Sequence, residues 1–103
     1  MAAPDLVGLL DALVAQLGEV TESRDGPATA YERAGTRFAR SSPEGIELRL
    51  PPDIAEAALR TPDTEAVAGQ PGWVRFRPRS TERHVSDRAE AWFRTAWRHA
   101  GPK

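Results

Sequence analysis

Apolar residues near the amino terminus recur at the spacing of one face of an α-helix. They occupy positions i, i+3, i+4 and i+7, which is the pattern of an amphipathic helix with one face in the core. The residues in this pattern are Leu6, Leu9, Leu10, Leu13, Val14 and Leu17. Pro4 and Asp5 suit the first turn of a helix, and Gly18 suits its end. The pattern predicts a first helix over residues 6–17.

Farther along, the apolar positions alternate with polar ones, as in a β-strand with one buried face. Ile46, Leu48 and Leu50 alternate with charged residues, and Val74 and Phe76 do the same. Two shorter β-prone segments come before these, separated by a tight turn at Ala34-Gly35. We therefore predict four strands, over residues 29–33, 36–41, 46–50 and 73–77.

The remaining segments complete an α+β domain. Residues 51–60 predict a short helix, because Pro52 and Asp53 suit its first turn. The last helix is expected from about Asp87 to His99, with Asp87 and Glu90 spaced as in a capping box. Residues 19–28, 61–71 and 78–84 are interpreted as loops. The predicted order is α-β-β-β-α-β-α, with an antiparallel sheet and the helices packed on one face of a single domain over residues 1–103.

Composition narrows the class of protein. The 103 residues contain no cysteine, which leaves no disulfide or thiolate chemistry and favours a cytoplasmic location. No apolar run approaches the roughly 20 residues of a membrane-spanning helix. The net charge of −1 conceals an acidic segment before residue 70 and a basic segment after it. The basic segment could attract phosphate-rich partners, or its arginines could pair with the acidic segment.

The residue types needed for catalysis are scarce. Histidine occurs only at His84 and His99. The run from His84 to Asp87 contains the residue types of a catalytic triad, but triads are assembled from distant segments. His84 and Asp87 offer two metal ligands, whereas catalytic zinc sites use three. We expect no catalytic residue, no metal and no cofactor.

One surface of the predicted sheet is a candidate binding site. If the strands pair as proposed, tryptophan and arginine side chains lie together on the face opposite the aliphatic residues, which is what base stacking and phosphate contact require. The candidate residues are Trp73, Arg75, Arg77, Arg49, Arg37 and Arg79. In the alternative interpretation, Trp73 is buried beneath the 61–71 loop, and Glu47 and Glu32 neutralise the arginines.

Four short segments carry a resemblance to known proteins: Phe38-Ala39-Arg40, residues 46–51, residues 72–76 and residues 87–93. With them the chain resembles the small bacterial proteins called luciferase-domain or luciferase-family proteins. Its element order is also similar to that of the MmcQ/YjbR-like and TfoX N-terminal domains. The resemblance implies an α+β fold and, through some of these relatives, a DNA-binding role. It implies no luciferase activity and supplies no catalytic residue.

Three functional hypotheses remain open from the sequence. The first is a non-enzymatic bacterial binding module, with nucleic acid as one possible partner and no membrane association. The second is a protein-interaction or homodimerisation module that uses an open sheet edge and the apolar helices. The third is a small-molecule or enzymatic pocket under the 61–71 loop, since a loop of that length in a small domain is often functional.

Overall fold

Three helices and six strands follow one another in the computed structural model, which describes residues 6–43, 45–78 and 83–101. The strands form one antiparallel sheet in the order β1-β2-β3-β4-β6-β5. The elements are α1 Leu6–Leu17, β1 Thr21–Asp25, β2 Ala28–Arg33, β3 Thr36–Ser42, β4 Gly45–Arg49, α2 Pro52–Leu59, β5 Thr64–Ala66, β6 Trp73–Phe76 and α3 Arg83–Ala100. The predicted α+β class with an antiparallel sheet is confirmed.

Two strands, β1 and β5, lie where the sequence predicted loops. β1 has the sequence Thr-Glu-Ser-Arg-Asp, which contains no apolar residue, and its first four residues are exposed. β5 has only three residues, of which Glu65 and Ala66 are exposed. Both strands lie at the edges of the sheet and are defined by backbone pairing, so neither needs the hydrophobic alternation by which buried strands are recognised.

Helix α3 begins at Arg83, four residues before the predicted start at Asp87. The reason is that its buried stripe begins at Val85, one turn before Ala89, and continues through Phe93. Asp87 therefore lies within the helix, where it is exposed, and does not act as the predicted cap. The predicted loop over residues 78–84 is correspondingly shorter; its residues 79–82 lie outside the described ranges.

Strand register separates the two faces of the sheet. Ile46 lies opposite Phe76 and Leu48 lies opposite Val74, so these four apolar side chains share one face, which we call the core face. All four are fully buried or nearly so. Side chains from the three helices join them in one hydrophobic cluster, among them Leu10 and Leu13 of α1, Ala55 and Ala58 of α2, and Val85, Ala89, Phe93 and Ala96 of α3.

A β-bulge in β3 adds an aromatic ring to this core. Tyr31 pairs with Ala39, but the next residue of β2 pairs with Arg37, which leaves Phe38 without a partner across the strand pair. Both Phe38 and Ala39 are consequently fully buried. The ring of Phe93 lies 5.3 Å from that of Phe38 and 5.5 Å from that of Tyr31, in edge-to-face geometry.

Arg33 and Trp97 fasten the end of α3 to the start of the sheet. The Arg33 guanidinium lies 3.6 Å from the centre of the Trp97 ring and donates a 3.0 Å hydrogen bond to the Trp97 carbonyl oxygen. It also forms a 2.9 Å ion pair with Glu19. The Trp97 indole in turn donates to the carbonyl oxygen of Gly18 at the end of α1. These contacts tie β2, α3 and the end of α1 together.

Tyr31 is the single tyrosine of the chain, so its ionisation can be followed by itself. Burial disfavours the phenolate and raises the pKa of Tyr31 above 10.0, partly offset by its hydrogen bond with Ser41. We expect the tyrosinate absorbance to appear at higher pH in the folded protein than in the denatured protein. Above pH 10 the unfolded chain loses its proton first, so the free energy of unfolding should fall as pH rises.

In a Tyr31→Phe variant, this alkaline loss of stability should be smaller, because the titrating group is gone. Equal Tyr31 titration midpoints in the folded and denatured protein would show that the phenol is accessible to water.

Gly45 begins β4 with a φ of 138°, and a Cβ at this position would meet the carbonyl oxygen of Phe76. Gly35 also has a positive φ, of 81°, but nothing lies within 4 Å of a Cβ there. Gly35→Ala should therefore destabilise the fold by about 1 kcal/mol through backbone strain alone, and Gly45→Ala by about 2 kcal/mol more. Urea denaturation of both variants measures the difference. Equal losses would contradict the close approach of β4 and β6.

Candidate functional site

The face of the sheet opposite the core face carries charged side chains from both edges of the sheet to its centre. Glu47 and Arg75 lie directly opposite each other on β4 and β6, and Arg40 of β3 lies opposite Glu47 on its other side. We call this surface the charged face. The side chains of Arg40 and Arg75 thus lie on one face, and those of Ile46, Leu48, Val74 and Phe76 lie on the other, as the strand alternation predicted.

The charged residues form a continuous chain of ion pairs, which begins on β1. The Asp25 carboxylate accepts a 3.0 Å hydrogen bond from Arg40 and a 3.4 Å one from Arg37. Arg40 reaches Glu47 on its other side, at 3.3 Å. One carboxylate therefore binds two arginines, and one of these arginines links it to the next carboxylate.

The chain of ion pairs continues across β6 to β5. Arg75 donates from Nε and Nη2 to one carboxylate oxygen of Glu47, at 2.9 Å and 2.8 Å. Its Nη1 donates to Glu65 at 3.3 Å, and Glu65 also accepts a 2.7 Å hydrogen bond from Arg77. We call the complete set the ion-pair ladder; its members are Asp25, Arg37, Arg40, Glu47, Glu65, Arg75 and Arg77.

Glu47 is the most enclosed member of the ladder. Its side chain is 11% exposed, whereas those of Arg40 and Arg75 are 33% and 30% exposed. A carboxylate removed from water to this degree is stable only with charged hydrogen-bonding partners, and Glu47 has two. The hydrogen bonds to Glu47 raise the pKa of Arg75 above its ordinary value, with Glu65 contributing less and burial opposing the shift.

The candidate arginines therefore differ in their surroundings. Arg37, Arg75 and Arg77 are paired with carboxylates, whereas Arg49 is half-buried and forms no ion pair within residues 6–43, 45–78 and 83–101. Arg79 lies outside the described residues. Glu47 pairs with the arginines, as the alternative interpretation expected. The other carboxylates that pair with them are Asp25 and Glu65, where Glu32 was expected.

Trp73 lies opposite Arg49 at one end of β4 and β6. Trp73 is half-buried. It is therefore neither fully exposed on a binding surface nor fully buried beneath the 61–71 loop, which were the two alternatives from the sequence. The segment that precedes it is held against it by hydrogen bonds from the Val67 amide to the Trp73 carbonyl and from the Trp73 amide to the Gln70 carbonyl. Part of the predicted 61–71 loop thus packs beside Trp73 and leaves some of the indole accessible.

Two adjoining clefts lie where this segment meets α2. One has a volume of about 470 Å³ and includes Arg49 and His99 in its lining. The other has a volume of about 380 Å³ and includes Trp73. The residues common to both are Ala55, Leu59, Pro71 and Gly72. Leu59 is 42% exposed and is the one large apolar side chain in the described part of the chain that is classed as exposed.

The two histidines are at opposite ends of α3. His84 lies in its first turn and His99 in its last. Fifteen residues of helix separate them, or about 22 Å, so they cannot act on one substrate atom. Within the described ranges, no group of three or more histidine and acidic side chains is placed to hold a metal ion.

Sequence reasoning missed Leu59, Asp25 and Glu65 as contributors to these surfaces. Leu59 is an apolar residue within the predicted helix over residues 51–60, and such a residue is normally expected in the core, but the buried residues of α2 are Ala55 and Ala58. Asp25 and Glu65 lie in the two edge strands that were interpreted as loops. A weak signal did exist. Asp25 follows polar residues at the two-residue spacing of a strand, and Glu65 adjoins Thr64, a residue type that favours strands, but neither pattern is strong enough to define a strand.

Comparisons with protein-family models, curated proteins and solved structures found no match. The resemblance to the luciferase-domain proteins therefore stays a prediction, as do a bacterial origin and a cytoplasmic location. Among the described helices, none combines the length and the apolar composition that crossing a membrane requires.

The ion-pair ladder predicts that the Glu47 charge stabilises the fold. Glu47→Gln keeps the size of the side chain but removes the charge that both Arg40 and Arg75 contact. We expect the free energy of unfolding to fall by about 1–2 kcal/mol, because charged hydrogen bonds to a largely buried carboxylate are lost. Urea denaturation at low ionic strength measures this loss.

The matched control is Glu56→Gln, which breaks the exposed pair between Glu56 and Arg60 one helical turn away. A pair of that kind contributes about 0.5 kcal/mol or less. Equal stability losses in the two variants would mean that Glu47 is no more important than an ordinary surface carboxylate.

Proposed function

We propose that the protein is a non-enzymatic binding module that takes a small amphipathic anion in the two clefts beside α2. The observation that carries the proposal is the meeting of an exposed leucine, Leu59, with an arginine that has no carboxylate partner in the described structure, Arg49, around one concave surface. Such a surface suits an apolar body that ends in a negatively charged group.

The size and lining of the clefts support a small ligand. Volumes of about 470 Å³ and 380 Å³ lie in the range of about 300–1,000 Å³ that is typical of small-molecule sites. Leu59, Pro71 and Ala55 supply apolar surface to both clefts. These clefts lie along the segment over residues 66–73, which overlaps the loop that the sequence singled out.

The charges around the larger cleft support an anion. Its lining includes Arg49 and His99, which can donate hydrogen bonds to a carboxylate, sulfonate or phosphate oxygen. Glu56 also lines this cleft, but its carboxylate accepts a 3.0 Å hydrogen bond from Arg60. Arg49 therefore provides a positive charge that no ion pair with another described residue offsets.

The ion-pair ladder weighs against nucleic acid as the ligand of the charged face. A phosphate that bound Arg75 or Arg77 would compete with Glu47 and Glu65, which already lie within 3.3 Å of these guanidinium groups. Phosphate contacts gain most of their affinity from uncompensated positive charge. A DNA-binding role would have to depend on Arg49 and Trp73 alone among the described candidate residues.

Decanoate, below its micelle concentration, is a suitable probe for the proposed site. Titration into the ¹⁵N-labelled protein should shift the backbone amide resonances of Leu59, Gly72 and their neighbours in a saturable manner. Arg49→Gln should weaken decanoate binding by about tenfold, because a charged hydrogen bond is lost. Leu59→Ser should weaken it as well, since apolar contact is removed.

Three controls make this experiment decisive. Arg88 lies toward the start of α3, whereas the cleft residue His99 lies at its end. Arg88→Gln removes one positive charge, as Arg49→Gln does, and should leave decanoate affinity unchanged. Decanol, which lacks the anion, should bind the wild type about as weakly as decanoate binds Arg49→Gln. The proposal is wrong if Arg49→Gln and wild type bind decanoate equally, or if a single-stranded oligonucleotide shifts the charged-face resonances while decanoate shifts none.

A further inference from the structure

β1 is an edge strand of the sheet that the described residues form. It pairs with β2 on one side and is the first strand of the sheet, so no described strand covers its other side. A two-residue loop connects Asp25 to Ala28, and such loops are closed by a hydrogen-bonded residue pair. The amides and carbonyls of Thr21, Ser23 and Asp25 therefore face β2, and those of Glu22 and Arg24 face outward.

The two residues that face outward carry opposite charges. Glu22 and Arg24 are both exposed, and neither forms an ion pair or a side-chain hydrogen bond within the described residues. This sets Glu22 and Arg24 apart from the ion-pair ladder, whose described acids and arginines are paired with one another. Within the described part of the chain, this edge thus combines backbone groups that no strand pairs with and two charges, two residues apart, that have no ion-pair partner.

We propose that β1 pairs with β1 of a second copy of this chain, as antiparallel strands related by a two-fold axis at Ser23. In that register Glu22 lies opposite Arg24 of the second copy, and Arg24 lies opposite its Glu22. Each of these residue pairs is of the hydrogen-bonded type, so four backbone hydrogen bonds form across the axis. Two cross-strand ion pairs form with them, and the two sheets become one of twelve strands.

Charge complementarity selects both this register and this partner. Only pairings that bring outward-facing residues together can form the backbone hydrogen bonds. A two-fold axis at Glu22 would place the Glu22 carboxylates of the two copies opposite each other. An axis at Arg24 would place the two Arg24 guanidinium groups opposite each other. Like charges directly opposite each other destabilise a strand pair. A second copy thus supplies the matching charge pattern without any other protein.

The opposite edge of the sheet is not suited to the same contact. β5 has three residues, and Glu65 in its centre is already bound to Arg75 and Arg77. The dimer through β1 is expected to be weak, because five residues in each strand bury less surface than a standard protein interface. It should therefore depend on protein concentration.

Charge reversal tests the proposal directly. Glu22→Arg places arginines opposite each other across the axis, and Arg24→Glu places carboxylates opposite each other, so each variant should be monomeric. The double variant Glu22→Arg/Arg24→Glu restores both cross-strand pairs and should dimerise like the wild type. An equimolar mixture of the two single variants should form a heterodimer, since each supplies the charge that the other lacks.

Sedimentation equilibrium from about 10 µM to about 1 mM covers the affinities expected of a small interface. Each single variant should weaken the homodimer by tenfold or more. Both positions are exposed, and a circular dichroism spectrum confirms that each variant is folded. The β1 edge lies four strands from β6, or about 19 Å, so decanoate binding should not change in these variants.

The proposal is overturned if the wild type is monomeric throughout this concentration range. It is also overturned if the single variants dimerise as well as the wild type, or if the double variant fails to recover the dimer. Capture of an unrelated extended peptide by a monomeric wild type would show that the edge serves another partner.

Discussion

The pairing of Glu47 with Arg40 and Arg75 is the interaction on which the two-sided sheet depends. β4 lies in the interior of the sheet, with Ile46 and Leu48 directed into the core, so Glu47 must point to the opposite face. There its carboxylate is largely shielded from water, and a carboxylate in such a position needs charged partners. The neighbouring strands supply one arginine each. The sheet can thus keep a polar face that its own paired charges shield from water.

This pairing also determines where a ligand can bind. Because Glu47 and Glu65 occupy the guanidinium groups of Arg75 and Arg77, the most arginine-rich part of the surface has little positive charge left to offer. Among the described candidate arginines, Arg49 is the one with no ion pair to another described residue, and it lines one of the clefts beside α2. The distribution of paired and unpaired arginines therefore favours the clefts over the flat sheet.

The parts of the fold that bury apolar surface could be predicted from the sequence, and the parts held by backbone pairing could not. The alternation around Leu48 and Val74 identified two interior strands and their faces, because burial constrains every second residue. Ser23 and Glu65 lie in edge strands where nothing comparable acts. The co-location of Arg49 and Trp73 followed from strand alternation. Of the carboxylates that pair with the arginines, Glu47 was predicted. Asp25 and Glu65 were not, because they lie in the edge strands β1 and β5.

The ladder arginines are already hydrogen-bonded to carboxylates, whereas Arg49 has no carboxylate partner among the residues that the structure describes. Hydrogen exchange of the arginine Nε–H groups, followed by NMR, measures this for each side chain without any substitution. The account predicts slow exchange for Arg75 and Arg40, whose Nε atoms donate to Glu47 and Asp25, and fast exchange for Arg49. Exchange at Arg75 as fast as at Arg49 would contradict it.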